Sequence, residues 1–183
     1  MQHKILIAGI GNIFLGDDAF GVEVAQRLSS RKLPHCVRVV DFGIRGLDLA
    51  YALTDGYELS ILIDATPRGG VPGTIYTIEP DLERLKMPDA ATVDAHGMDP
   101  MNVFALVKSM GGDCKRILIV GCEPEPLLDE EGRMGLSEPV RAAIDPAIEV
   151  IEKLIANEIS SRSPEADLQL SEAQNLTELR RSQ

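Results

Sequence analysis

Residues 9–20 read "GIGNIFLGDDAF", set between a short apolar run, "KILIA" (4–8), and "GVEVAQRLSS" (21–30), whose spacing is helical. Strand, glycine turn and helix in that order open an α/β fold. Such a turn commonly cradles a dinucleotide pyrophosphate at the helix N-terminus. Here the glycines are Gly9, Gly11 and Gly16, a G-x-G-x4-G spacing in place of G-x-G-x-x-G. Asp17 and Asp18 then stand where the phosphate would sit, and their charge would repel it. The loop is better suited to presenting a carboxylate to something positive. Asp41 ends the next strand-like run, where a ribose-binding acid would sit, so a nucleotide-binding α/β enzyme is kept as an alternative reading.

Outward from this loop, apolar runs recur at 5–10, 37–42, 59–65 and 116–121. They are nearly continuous rather than alternating, as in strands buried on both faces. The run "GTIYTIEP" (73–80) alternates, which predicts an edge or antiparallel strand. Helical spacing predicts a helix over about 18–29 and a short one from Leu47 to Leu53. A third opens with Asp99 as N-cap and Pro100 at its first position, and ends at Gly111-Gly112. A fourth starts near Ser137 and carries Val140, Ile144, Ile148, Ile151 and Ile155, with Pro146 expected to kink or split it. The predicted fold is an α/β three-layer sandwich. Its roughly five-stranded twisted sheet is mostly parallel with one antiparallel edge strand, and helices cover both faces. Residues 1–159 are expected to form a single domain, and the polar stretch 160–183 a mobile tail.

Composition narrows the function classes. A net charge of -11 and only 4% aromatic residues, with no Trp, argue against nucleic acid as a partner. No apolar run reaches the roughly 20 residues that cross a bilayer, so no membrane role is expected. The N-terminus runs straight into a strand without a signal-peptide pattern. Three cysteines, Cys36, Cys114 and Cys122, form no C-x-x-C pair and suit a reducing compartment. A cytoplasmic monomer is the default expectation.

In open α/β sheets ligands gather at the carboxyl ends of the strands. That edge should carry Asn12, Asp17 and Asp18, then Asp41, Asp64, His96, Cys122 and Glu123. No G-x-S-x-G suggests a serine nucleophile. Cys122 could lie near a site or simply be buried. Asp18, Asp64 and His96 come from three separate loops and could form three sides of an open metal site. Each aspartate could equally cap a helix or brace a loop.

The segments "GIGNIFLGDDAFGVEV", "VDFGIRGLDL", "LIDATPRGGVPGTIY", "HGMDP", "VGCEPE" and "GLSEPV" follow one another across about residues 4–155. Together they resemble the nickel-iron hydrogenase maturation endopeptidases, which trim the large subunit of that enzyme. The resemblance implies a five-stranded sheet between helices and a metal-contacting set of an acidic residue, an aspartate and a histidine. At matching positions these are Asp18, Asp64 and His96. The first is often Glu in that family; Asp18 brings the same carboxylate on a shorter arm. The implied partner is the large-subunit precursor, whose C-terminal extension is removed after nickel insertion. Nickel would be carried by that substrate rather than permanently bound. Asp17, Asp41 and Glu123 are candidates for supporting roles. The non-enzymatic alternative is a metal-dependent maturation or docking factor that binds the precursor without cutting it.

Overall fold

In the computed structural model, residues 5–82, 100–112, 114–126 and 134–161 are described. Strand β1 (Ile5–Ile10) is buried at every position and lies inside the sheet between β2 (Val37–Gly43) and β3 (Leu59–Ala65), both parallel to it. β3 pairs in parallel with β5 (Ile117–Cys122), and β4 (Ile75–Ile78) closes the far edge antiparallel to β5. The order is β2-β1-β3-β5-β4, five strands with one antiparallel edge. The alternating run therefore forms the strand that its period indicated. β2 differs from the reading of a strand covered on both faces: Val37 and Val39–Asp41 are half-buried and Arg38 is exposed. As an edge strand it lacks a neighbour on one side.

The helices divide between the two faces, and the side-chain alternation of β1 shows how. Leu6, Ala8 and Ile10 join a core with Leu49 and Leu53 of helix α2 (Gly46–Leu53) and Val103, Phe104 and Val107 of α3 (Pro100–Ser109). The opposite face meets α1 (Phe20–Ser29), which packs on β1, β2 and β3. Here glycine is required. A Cβ on Gly21 would overlap the carbonyl oxygens of Ile63 and Ile10, and one on Gly9 would overlap the Gly21 carbonyl. The first turn of α1 thus lies backbone to backbone on β1 and β3. Gly9 and Gly21 serve this close approach.

The remaining helical stretch is split, as Pro146 suggested. α4 (Glu138–Ala142) ends at Ala143, and α5 (Ile144–Ser161) begins with Pro146 in its first turn, where no intrahelical N–H is needed. Contacts divide the chain into two units, Met1–Glu149 and Val150–Gln183. Within the first, α5 buries Ile144, Ala147 and Ile148; within the second, Ile151 and Ile155 continue the same spacing and are buried. Among the described residues no helix is long and apolar enough to cross a membrane. The N-cap expected at Asp99 and the stretch 160–183, apart from the last two helical positions, lie outside the described residues.

Candidate active site

The chain leaves β1 toward β2 on one side and returns to β3 on the other, so the strand order reverses between β1 and β3. Loops leaving the carboxyl ends of strands at such a reversal diverge and open a crevice. The β1 loop carries Asp18, and the end of β3 carries Asp64. The 3-10 turn Gly16–Ala19, which contains Asp18, packs against β3. The sequence-predicted helix over 18–29 thus starts with this tighter turn and becomes α-helical only at Phe20.

Asp18 is half-buried, and its Oδ2 accepts the Asn12 N–H at 2.5 Å. Asn12 Oδ1 in turn accepts the Phe14 N–H at 3.0 Å, and the Asp18 N–H reaches the Leu15 carbonyl at 3.2 Å. The loop is therefore closed on itself. Gly11, at φ +127°, lies so near the Asp18 carbonyl that a Cβ there would overlap it. These contacts leave Asp18 at the carboxyl edge with its second oxygen outside the bond to Asn12.

The neighbouring Asp17 is only 8% exposed. Its Oδ1 accepts the Ser137 N–H at 2.6 Å; its Oδ2 accepts the Ser137 hydroxyl and the Glu125 N–H, each at 2.8 Å. Of the adjacent pair, buried Asp17 ties the loop to Glu125 and Ser137, while half-buried Asp18 closes the loop on Asn12.

Asp64 is half-buried near the end of β3, opposite Gly121 of β5. The loop that follows it is held by Glu123, just past β5 and 4% exposed. Glu123 accepts the Arg68 N–H on both oxygens, at 3.0 and 2.9 Å, the Gly69 N–H at 3.0 Å and the Tyr76 hydroxyl at 2.7 Å. Burial pushes this carboxyl up, but the Tyr76 hydroxyl and the N–H groups of Arg68, Gly70 and Gly69 outweigh it and hold Glu123 below its usual range. The same bond raises Tyr76. The Arg68 guanidinium lies 5.6 Å from the centre of the Tyr76 ring.

Cys122 is buried, and burial together with the Asp17 and Glu123 charges pushes its thiol up to about 12. A thiol so protonated is a poor nucleophile, so Cys122 is a core residue here.

Asp41 is half-buried at the end of β2; its Oδ2 accepts the Gln26 side-chain N–H at 3.3 Å. The Arg45 guanidinium bonds the carbonyls of Asp41 and Phe42. Asp41 and Gln26 line a cavity of about 360 Å³ whose apolar walls include Phe14, Val22, Phe42 and Ile44. Phe14 and Ile44 are 63% and 56% exposed. Asn12, whose N–H binds Asp18, lines it too.

His96 lies outside the described residues. Among the described residues no three His, Cys, Asp or Glu side chains gather closely enough to hold a metal ion. Asp18 and Asp64 are donors of the hard-oxygen kind, and they suit a cation whose other ligands come from elsewhere. Ser137 and Tyr76 escaped the sequence reading as site residues. Tyr76 carries a weak signal, a hydroxyl on an edge strand opposite Gly121; Ser137 carries none beyond opening a helix.

Comparison with known proteins agrees with this architecture. The family model described as HycI, hydrogenase maturation protease, matches residues 22–154. The hydrogenase 2 maturation protease of Escherichia coli is 30% identical over 151 residues, 81% of this chain and 88% of that protein. The hydrogenase expression/formation protein HoxM of Azotobacter vinelandii is 34% identical over 154 residues, covering 84% of this chain and 72% of its own length. The solved structure of the E. coli hydrogenase maturating endopeptidase HybD superposes with a TM-score of 0.66 at 28% identity, covering 85% of this chain and 93% of that one. Sequence match and shared fold together place the chain in the hydrogenase maturation protease family, whose members are hydrolases of peptide bonds.

Proposed function

We propose that this protein removes the C-terminal extension of a nickel-iron hydrogenase large-subunit precursor after nickel insertion, and that the substrate's nickel is what it recognises. The observation that carries the reading is the pair of carboxylates that flank the strand-order reversal, Asp18 on the loop after β1 and Asp64 at the end of β3. His96 is the third member of the proposed set. Two carboxylates and one imidazole make a moderate site for nickel and leave positions open for ligands brought by the substrate. The metal, arriving with the precursor, would supply polarisation of the scissile carbonyl or simply fix the tail in place.

The chain's own part is positional. Asn12 holds the Asp18 carboxylate at the edge, and the loop after Asp64 is fixed from behind by Glu123. The cavity between the β1 and β2 loops, with Phe14 and Ile44 on its walls, gives the substrate chain an apolar seat beside Asp18. Asp41 is the candidate supporting carboxylate, able to take a proton from an attacking water. Hydrolysis then adds the water oxygen to the carbonyl carbon as the C–N bond breaks, and the departing amine gains a proton. An unloaded precursor lacks the cation that the carboxylates bind, so differential affinity gates the cut.

Intact-mass analysis of nickel-loaded precursor mixed with wild type, Asp18→Ala and His96→Ala tests this. A discrete mass loss with wild type alone supports proteolysis through these residues. A stable complex without mass loss would replace it with the docking-factor reading. Equal cleavage of nickel-free precursor would remove the metal gate.

A further inference from the structure

Glu123 and Glu125, two positions apart beyond β5, each tie down a loop beside one of the edge carboxylates: the loop that follows Asp64 and the loop that carries Asp18. The Glu123 side chain receives Arg68 and Gly69 N–H from the loop that follows Asp64. The Glu125 N–H is donated to Asp17, the residue before Asp18. The backbone of Glu123 is anchored as well: its N–H reaches the Thr74 carbonyl at 2.9 Å, and its carbonyl accepts the Gly73 N–H at 2.8 Å.

The loop on the β3 side wraps this residue closely. The Thr66 N–H bonds the Cys122 carbonyl at 2.8 Å. A Cβ on Gly121 would overlap the Thr66 hydroxyl, and one on Gly70 the Tyr76 hydroxyl. Successive backbone N–H groups converging on one point form a nest for an anion. Here the anion is the chain's own buried carboxylate. A solvent-facing loop ending in two glycines, "TPRGG", would otherwise sample many conformations.

We infer that Glu123 is a positioning residue for the cleavage: through the Arg68–Gly70 backbone it fixes the loop after Asp64, while the adjoining Glu125 N–H, through Asp17, fixes the loop bearing Asp18. The short segment 123–125 therefore sets the relation between the two edge carboxylates. A cut that depends on both carboxylates meeting one cation depends on this spacing, since about 1 Å of misplacement can cost about 10²-fold in rate. Binding of the precursor, spread over a wider face, depends on it much less.

This inference rests on the proposed function, and the experiment separates the two. Single-turnover cleavage of nickel-loaded precursor is measured for wild type, Glu123→Gln and Tyr76→Phe, with Glu79→Gln as a control. Glu79 pairs with Arg116 away from the carboxyl edge. Precursor Kd, Tm and amide exchange at residues 68–70 are measured on the same samples. The expected result is a cleavage rate about tenfold or more lower in Glu123→Gln, and a smaller loss in Tyr76→Phe. Kd should stay within about threefold, and exchange should rise at 68–70. Glu79→Gln should cleave like wild type. Wild-type cleavage by Glu123→Gln with exchange at 68–70 raised would overturn the inference and leave the proposed function standing. So would a rate loss matched by an equal loss of affinity, or one shared by Glu79→Gln at similar Tm. Absence of cleavage by wild type would overturn both.

Discussion

Asp17 and Ser137 are 120 positions apart, yet one carboxylate accepts both the N–H and the hydroxyl of the serine, at 2.6 and 2.8 Å. Removing only the hydroxyl, Ser137→Ala, should cost about 1.5–3 kcal/mol, the usual net value of a hydrogen bond to a charged group. Asp17→Ala strands three donors in the interior and should cost about 3 kcal/mol or more. Urea midpoints rank the two; equal losses would mean that the serine N–H and Glu125 N–H find water instead.

The backbone contact at Gly21 makes a sharper claim. Gly21→Ala forces a methyl against the carbonyls of Ile63 and Ile10 and should cost about 3 kcal/mol or more, with processing lost as α1 lifts the Asp18 loop. Gly56→Ala, at φ +74° with open space around it, should cost only about 1–2 kcal/mol and leave processing intact. Thermal unfolding and cleavage on the same samples check both.

Acid should loosen the Asp64 side of the site. The folded-state pKa of Glu123 lies below its unfolded value of about 4.3. Its contribution to stability is therefore complete above about pH 4.3 and is lost as pH falls through the lower folded value. Between pH 6 and 3 the urea midpoint of wild type should drop more steeply than that of Glu123→Gln; parallel curves would remove Glu123 from the acid response.

Cys122 should be chemically silent. With its thiol pushed up to about 12, iodoacetamide at pH 8 should label Cys36 and Cys114 ahead of it in the native protein. Cys122→Ala should still process precursor within about threefold of wild type. Loss of cleavage with the fold retained would return this thiol to the chemistry.

The seat beside Asp18 can be tested by charge. Ile44→Asp places a carboxylate on an exposed apolar wall, where it meets water in the free protein and the fold is little affected. Precursor affinity should fall about tenfold with Tm unchanged.

The architecture was legible because its central strands are continuous apolar runs and its edge strand alternates; both signals follow from how many faces a strand buries. β2 misled in part, since "VRVVDF" is as apolar as a central strand yet sits at an edge. Asp18 and Asp64 could be placed at the carboxyl edge from element order alone. Which of two adjacent aspartates turns inward could not, because that depends on Ser137, a residue that no local period connects to Asp17. Glu123 stood out as an acid after a strand, but apart from the Tyr76 hydroxyl its partners are backbone N–H groups, which carry no residue-type signature.

Ion pairs occupy the other end of the sheet. Lys115–Glu58 at 2.5 Å and Arg116–Glu79 at 2.8 Å flank the starts of β3 and β5 and the end of antiparallel β4. These two pairs thus sit at the amino edge, and the buried carboxylates Asp17 and Glu123 at the carboxyl edge. Added salt screens the first group and hardly reaches the second. Ionic strength therefore becomes a selective control: moderate salt can weaken the acidic surface's attraction for a partner while the geometry around Asp18 and Asp64 stays as it was.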